Sequence, residues 1–229
     1  MEICFDFKEP SDSEALSDAA LLELCRGKFE GILAADVMRV LRERAADVRS
    51  CLQKLRECAV RTASAIRLPS NIFVGSQDRA DAYATVCEAL ILSEPLWSEL
   101  YVAFAAFSGM ETSLQQARAA CRMAESCLQA YSERETAEDD RVRAIKRGLQ
   151  KKIKCVNSCE AKFLKTRDGL QRFCFGIASD FSERVSKIAD MEHDGAFCDP
   201  AGAVRLFNQL CDAVGGAERL MEALLEGEG

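Results

Sequence analysis

Apolar side chains recur at alternating four- and three-residue steps along most of this chain, and that spacing constrains the fold more than any other feature. From Gly31 one seam runs through Ala34, Met38, Leu41, Ala45, Val48, Leu52, Leu55, Ala59, Thr62 and Ile66. A second runs through Leu96, Leu100, Ala103, Phe107, Met110, Leu114, Ala117, Cys121, Ala124, Leu128 and Tyr131. A mean step of 3.5 residues keeps side chains on one side of an α-helix and on no consistent side of a strand, so both runs predict long helices packed along a stripe. Only four Pro and thirteen Gly interrupt the 229 residues, and helix formers dominate the rest. The fold class expected is all-α.

Breaks in the seam set the boundaries. The first helix should end at "LPSN", because Pro69 lacks a backbone donor and disfavours helix at Leu68. The second should begin near Asp78, with Pro95 acting either as a kink or as a fresh start capped by Ser93. An acidic turn, "ERETAEDD", leads to a third helix whose apolar stripe runs from Val142 through Leu149, Val156, Phe163, Leu170, Cys174, Ile177, Phe181 and Val185 to Ile188. After "HDGAFCDP", Asp199 caps a short helix with Pro200 at its first position. Gly215 and Gly216 should stop that helix before a last turn or two. The organisation read from these signals is an N-terminal extension (1–29), a three-helix domain (30–194) and a short C-terminal helical segment (195–229).

Two features stand off the stripes. Trp97, Tyr101 and Phe104 lie beside Leu100 and Phe107, so the second helix has two faces that require burial. A partner subunit or a fourth helix of the same chain would supply the second cover equally well. The other feature is charge: between 141 and 172 there are eleven Lys or Arg against Glu160 and Asp168, in a chain of net charge −7. At 100° per residue, Arg143, Arg147, Lys151, Lys154, Lys162, Lys165 and Arg172 fall on one line opposite the apolar stripe. A solvated helix face usually mixes signs, because i,i+4 ion pairs stabilise it. A face of one sign points to an acidic partner: anionic lipid, nucleic acid or an acidic protein surface. Anionic lipid ranks first, since no aromatic residues are interleaved with the charges to stack on bases.

Other chemistries find little footing. His193 is the one histidine and sits between acidic residues in "MEHDG". No phosphate-binding Gly loop or dinucleotide fingerprint occurs. Cys155 and Cys159 could furnish half a zinc site, but no second pair of matching spacing completes it, so no metal or cofactor is expected. The twelve cysteines read as reduced core residues, and the acidic start of the chain, unlike a secretory signal, points to the cytoplasm. The longest apolar run, around "LYVAFAAF", is short for a membrane span, so any membrane contact should be peripheral.

Three long helices, a wide apolar face on the second, an acidic turn and a basic third helix together resemble the BAR domain, particularly the C-terminal BAR of sorting nexins. The most specific stretch is "LQRFCFGIASDFSERVSKI", where Phe173 and a later Asp180–Phe181 pair are similar to that family's third-helix pattern. The resemblance covers about residues 34–193. It implies an antiparallel three-helix coiled-coil dimer, homo- or heterodimeric, that senses or shapes curvature in endosomal or vesicle trafficking. The basic line would face the membrane, and Trp97, Leu100, Tyr101, Phe104 and Phe107 would form the dimer interface. "LSDAALLELCRGKFEGIL" would extend the first helix or lie on the membrane as an amphipathic helix. The function expected is therefore non-enzymatic, with a scaffold that binds an acidic protein as the alternative.

Overall fold

A computed structural model describes residues 35–68, 74–134, 140–193 and 199–225. Nearly all of them are helical, and no strand occurs among the described residues. The elements are α1 (Ala35–Ala65), α2 (Ser76–Ser108), α3 (Met110–Arg134), α4 (Asp140–Arg172), a single π-helical turn (Phe173–Ile177), α5 (Ala178–His193) and α6 (Pro200–Leu225). The all-α expectation holds. The N-terminal amphipathic segment and most of the acidic turn lie outside the described residues.

The seams become the core. Leu41, Ala45, Val48, Leu52, Leu55 and Ala59 of α1 are buried, and so are Leu100, Phe107, Met110, Leu114, Ala117 and Cys121 of α2 and α3. Pro95 neither ends α2 nor starts a new helix; the helix runs through it to Ser108. Gly109 keeps right-handed helical dihedrals (φ −61°, ψ −17°), so α3 follows α2 after one intervening residue. At the start of α2, the Asp78 carboxylate accepts the Gly75 N–H at 3.3 Å. This occupies one of the donors that a helix leaves open at its N-terminus.

The C-terminal segment departs from the sequence expectation. Gly215 and Gly216 do not stop a helix, and α6 continues through them to Leu225. Two glycines cost roughly 1 kcal/mol each in a helix interior. Burial of Val214, Ala217 and Met221 on the same side outweighs that cost, because most helical stability in proteins comes from packing an apolar face. The start follows the predicted chemistry: Pro200 is the first helical residue, and the Asp199 carboxylate accepts the Ala201 N–H at 3.1 Å. Far from being an appendage, α6 packs along α1 and also against α2, α4 and the π turn.

The helices therefore divide into a body and an arm. In the body, α1, α2, α6 and the chain from the end of α4 into α5 surround one continuous core. Gly169 gives α6 room against α4: a Cβ there would lie 2.3 Å from Leu220 Cδ1. The neighbouring Thr166 hydroxyl donates to the Leu220 carbonyl at 3.3 Å. Beyond the body, α3 and the first half of α4 pack on each other. Among the described residues, their buried apolar contacts form two small clusters, Ala117, Cys121 and Val156 in one and Ala124 and Leu149 in the other.

Near Phe173 the third-helix stripe also changes register. Phe163, Leu170 and Phe173 are buried on one frame, Cys174, Ala178, Phe181 and Val185 on another displaced by one residue. The π turn absorbs the extra residue, with the Ala178 N–H reaching back to the Phe173 carbonyl. As a result Ile177, expected on the apolar stripe, is 41% exposed, and Ala178 takes the core position instead.

A basic face on the helical arm

The basic line is built by regular helix geometry on α4. Arg143, Arg147, Lys151, Lys154, Lys165 and Arg172 are exposed, and Lys162 is half-buried where the arm meets the body. The opposite side of the same helix buries Leu149, Val156, Cys159 and Phe163. From Arg147 to Lys165 the line covers about 27 Å at 1.5 Å per residue.

Its electrostatics are one-sided. Among the described residues, no hydrogen bond or ion pair engages Arg147, Lys151, Lys154, Lys162 or Lys165. The two carboxylates of this stretch are already committed elsewhere. Glu160, largely covered, accepts from Arg118 of α3 at 2.9 Å. Asp168 takes Arg167 at 2.9 Å, and Arg167 also reaches Glu111 of α3. These pairs tie the base of α4 to α3 and leave the line unneutralised. Arg172 is held close to its own helix, donating from Nε to the Asp168 carbonyl at 3.3 Å.

Past the π turn the pattern reverses. On α5, Arg184 pairs with Asp180 at 3.0 Å and Lys187 with Glu183 at 2.7 Å, both at i,i+4 spacing. That is the ordinary way a helix stabilises a solvated face. The same long helical run thus carries a mixed, paired face on the body and, from Arg147 to Lys165 on the arm, a line of one sign for which the described residues supply no ion pair. The change coincides with the one turn whose geometry is not α-helical.

The five residues expected at a dimer interface are placed differently. Leu100 and Phe107 are fully buried, and Trp97 and Phe104 are 9% and 7% exposed. Their cover comes from the chain itself. Trp97 lies 6.0 Å from Phe173 and 6.3 Å from Phe181. Phe181 in turn meets Phe207 of α6 edge-on at 5.4 Å, and Phe107 stacks 4.9 Å from Phe163. Of the two covers that the wide apolar face could have had, packing within the chain is the one present, so these four side chains are not available to a second subunit. Only Tyr101 stays 37% exposed, and its hydroxyl donates to the Cys174 carbonyl at 2.9 Å.

By length and composition, the helical stretch Ser76–Ser126 does contain an 18-residue window apolar enough to cross a membrane, at mean hydropathy 1.2. That window is longer than the run "LYVAFAAF", which by itself is too short for a membrane span. Only 22% of that window is buried; Leu100, Phe104 and Phe107 of this stretch lie in the core, while Ile91, Leu92 and Val102 are exposed.

Comparison with protein-family models, with curated proteins and with solved structures finds no match to this chain.

Proposed function

We propose that this protein is a non-enzymatic helical protein that attaches peripherally to anionic membrane surfaces through the basic face of its arm. The observation that carries the reading is the run Arg147, Lys151, Lys154, Lys162 and Lys165: five aligned cations without an ion-pair partner among the described residues. Each Lys or Arg held near an anionic leaflet contributes about 1 kcal/mol. Five in line are enough for reversible, salt-sensitive attachment. Phe163, an aromatic residue of α4 inside that span, is fully buried, so the face offers phosphate contacts without a stacking platform for nucleic-acid bases.

The test is co-sedimentation with vesicles of phosphatidylcholine, with and without phosphatidylserine. Wild-type protein should pellet only with the anionic vesicles and should be released by salt. Reversing Arg147, Lys151 and Lys154 to Glu should abolish pelleting while the circular dichroism spectrum and melting curve stay those of wild type. Unchanged pelleting of the triple variant would overturn the assignment.

A further inference from the structure

Helix α2 is apolar on two sides, and the chain covers one of them. Trp97, Leu100 and Phe107 turn into the core. On the outer side Ile91 and Val102 are 73% and 69% exposed, more than any other large apolar side chain among the described residues. Leu92 beside them is exposed as well. At 100° per residue Ile91, Pro95, Ser98 and Val102 fall within about 60° of one another, and all four are exposed. Carried outward, the same four-and-three spacing meets Glu88 and Ala84 in one direction and Ala105 and Gly109 in the other, again all exposed. This is a further heptad seam, with no helix laid against it among the described residues.

A seam of this spacing is satisfied by another helix, and two observations select a second copy of this one. The first is area. Weighted by exposure, the face presents roughly 600 Å² of mostly apolar surface, at the top of the range for the largest such patch on a monomer. With its polar rim it approaches the roughly 800 Å² that each partner of a stable complex buries. The second is self-complementarity. The steps run four, three, four across the midpoint between Pro95 and Ser98, so a two-fold axis there lays the seam antiparallel on itself. Ile91 of each copy then meets Val102 of the other, and Pro95 meets Ser98. Ala84 and Ala105 are small enough for the backbones to approach. Glu88 comes level with Ala105 rather than with a second carboxylate. Glu94 and Glu99 come level from opposite flanks of the helix, and Glu99 is already held by Lys54 at 2.9 Å.

We propose that two copies of this chain pair through the outer face of α2, antiparallel about a two-fold axis between Pro95 and Ser98. Of the five residues that the family resemblance assigns to a dimer contact, Tyr101 alone borders this face; the other four are spent on the core. The pairing uses neither the basic line nor lipid, so it stands or falls apart from the membrane reading. It also responds to salt with the opposite sign. Glu88 and Glu94 of both copies rim the contact, so screening them strengthens it, and burial of the apolar seam does not depend on screening.

The test is the mass in solution by light scattering over a concentration series, without lipid. Wild type should rise toward twice 25.2 kDa, and added salt should sharpen the rise. I91E/V102E changes two exposed helix positions, so it should keep the wild-type circular dichroism spectrum while associating at least about a hundredfold more weakly. V60E alters an exposed apolar side chain of α1 away from the face and should pair like wild type. Cross-linking reads the register. Under mild oxidation S98C should give a disulfide-linked dimer on a non-reducing gel, because residues beside the axis come within the roughly 7 Å between Cα atoms that a disulfide spans. A84C, about 37 Å from its own copy at 1.5 Å per residue, should give no more than wild type. Wild type at monomer mass throughout, or I91E/V102E pairing as wild type does, would overturn the interface. Equal cross-linking of A84C and S98C would overturn the antiparallel arrangement. Dissociation of wild-type pairs by salt would also overturn the proposal, since it would mean that the basic line of one copy holds acidic residues of the other.

Discussion

Deleting Gly176 should leave the protein folded with stability changed by no more than about 1 kcal/mol, although the deletion lies inside a long helix. The buried residues after the π turn, Ala178, Phe181 and Val185, sit one residue late relative to the frame set by Phe163, Leu170 and Phe173. Removing one residue within the turn brings all of them onto a single α-helical frame. The extra residue widens the turn rather than lengthening the helix, so α5 need not slide along its neighbours. Loss of an interior glycine gains up to about 1 kcal/mol, and loss of the Tyr101 hydrogen bond to the Cys174 carbonyl costs a similar amount. Had the helix been regular throughout, the same deletion would rotate α5 by 100° and turn Phe181 and Val185 out of the core. At about 1.5–3 kcal/mol for each side chain, that would cost roughly 3–6 kcal/mol. Urea denaturation followed by circular dichroism separates these outcomes. Deletion of the exposed Ala161, in the regular part of α4, is the destabilising control, since it puts Phe163 and Leu170 out of frame with the other end of the helix. A loss of several kcal/mol on deleting Gly176, equal to that of the control, would refute the register argument.

Phe163, fully buried and 4.9 Å from Phe107, joins arm to body, and Phe163→Ala should cost about 3–5 kcal/mol in the same denaturation experiment. Alkaline pH should also weaken the fold. Burial raises the Cys174 thiol from 9.0 to about 11, and it pushes Cys51, Cys121 and Cys211 in the same direction. A thiol that keeps its proton in the folded chain and loses it in the unfolded one contributes fully below pH 9.0. That contribution falls as pH rises toward about 11, at up to roughly 1.4 kcal/mol per pH unit. Urea midpoints measured across that interval should drop, and Cys174→Ala should flatten the slope even where it lowers the overall stability.

How far the sequence carried the structure differs from element to element. The seams of α1, α2 and α3 were legible because each keeps one frame, so counting fours and threes finds the buried side. The wide face of the second helix was legible as a demand for burial and not as an answer to it. Periodicity reports that Trp97 and Phe104 are covered, never by what, and the cover proved to be the π turn, α5 and α6. The glycine pair in α6 reads as a stop by local propensity alone, and the packing of Val214, Ala217 and Met221 overrides it. The register change has a signal in the sequence. Phe173 and Cys174 are adjacent, both are buried, and each fits a different heptad. One frame carried through both puts Ile177 in the core, where the structure leaves it 41% exposed. The basic line needs only helix phase, so its position is legible in the sequence; that Arg147, Lys151, Lys154, Lys162 and Lys165 find no ion-pair partner among the described residues is not, since it depends on Arg118 and Arg167 drawing off the nearby carboxylates.

The division into body and arm explains why such a line is tolerated and what should happen when it is satisfied. Like charges along one face repel and forgo the pairs that stabilise exposed helices, and the arm has little apolar burial to set against this. Among the described residues, Ala117, Cys121 and Ala124 are small and pack with Leu149, Ile153 and Val156. The body, with one continuous core that leaves out only the outer halves of α3 and α4 among the described helices, can absorb more. Local stability follows buried apolar contact, so backbone amides of 117–124 and 149–156 should exchange with deuterium faster than those of 45–59 in α1. Neutralising the line removes the repulsion without altering the body. Vesicles containing phosphatidylserine should therefore slow exchange in the arm and leave α1 unchanged, whereas phosphatidylcholine vesicles should do neither. Equal protection of arm and α1 in the free protein would show that charge on this face costs the arm nothing.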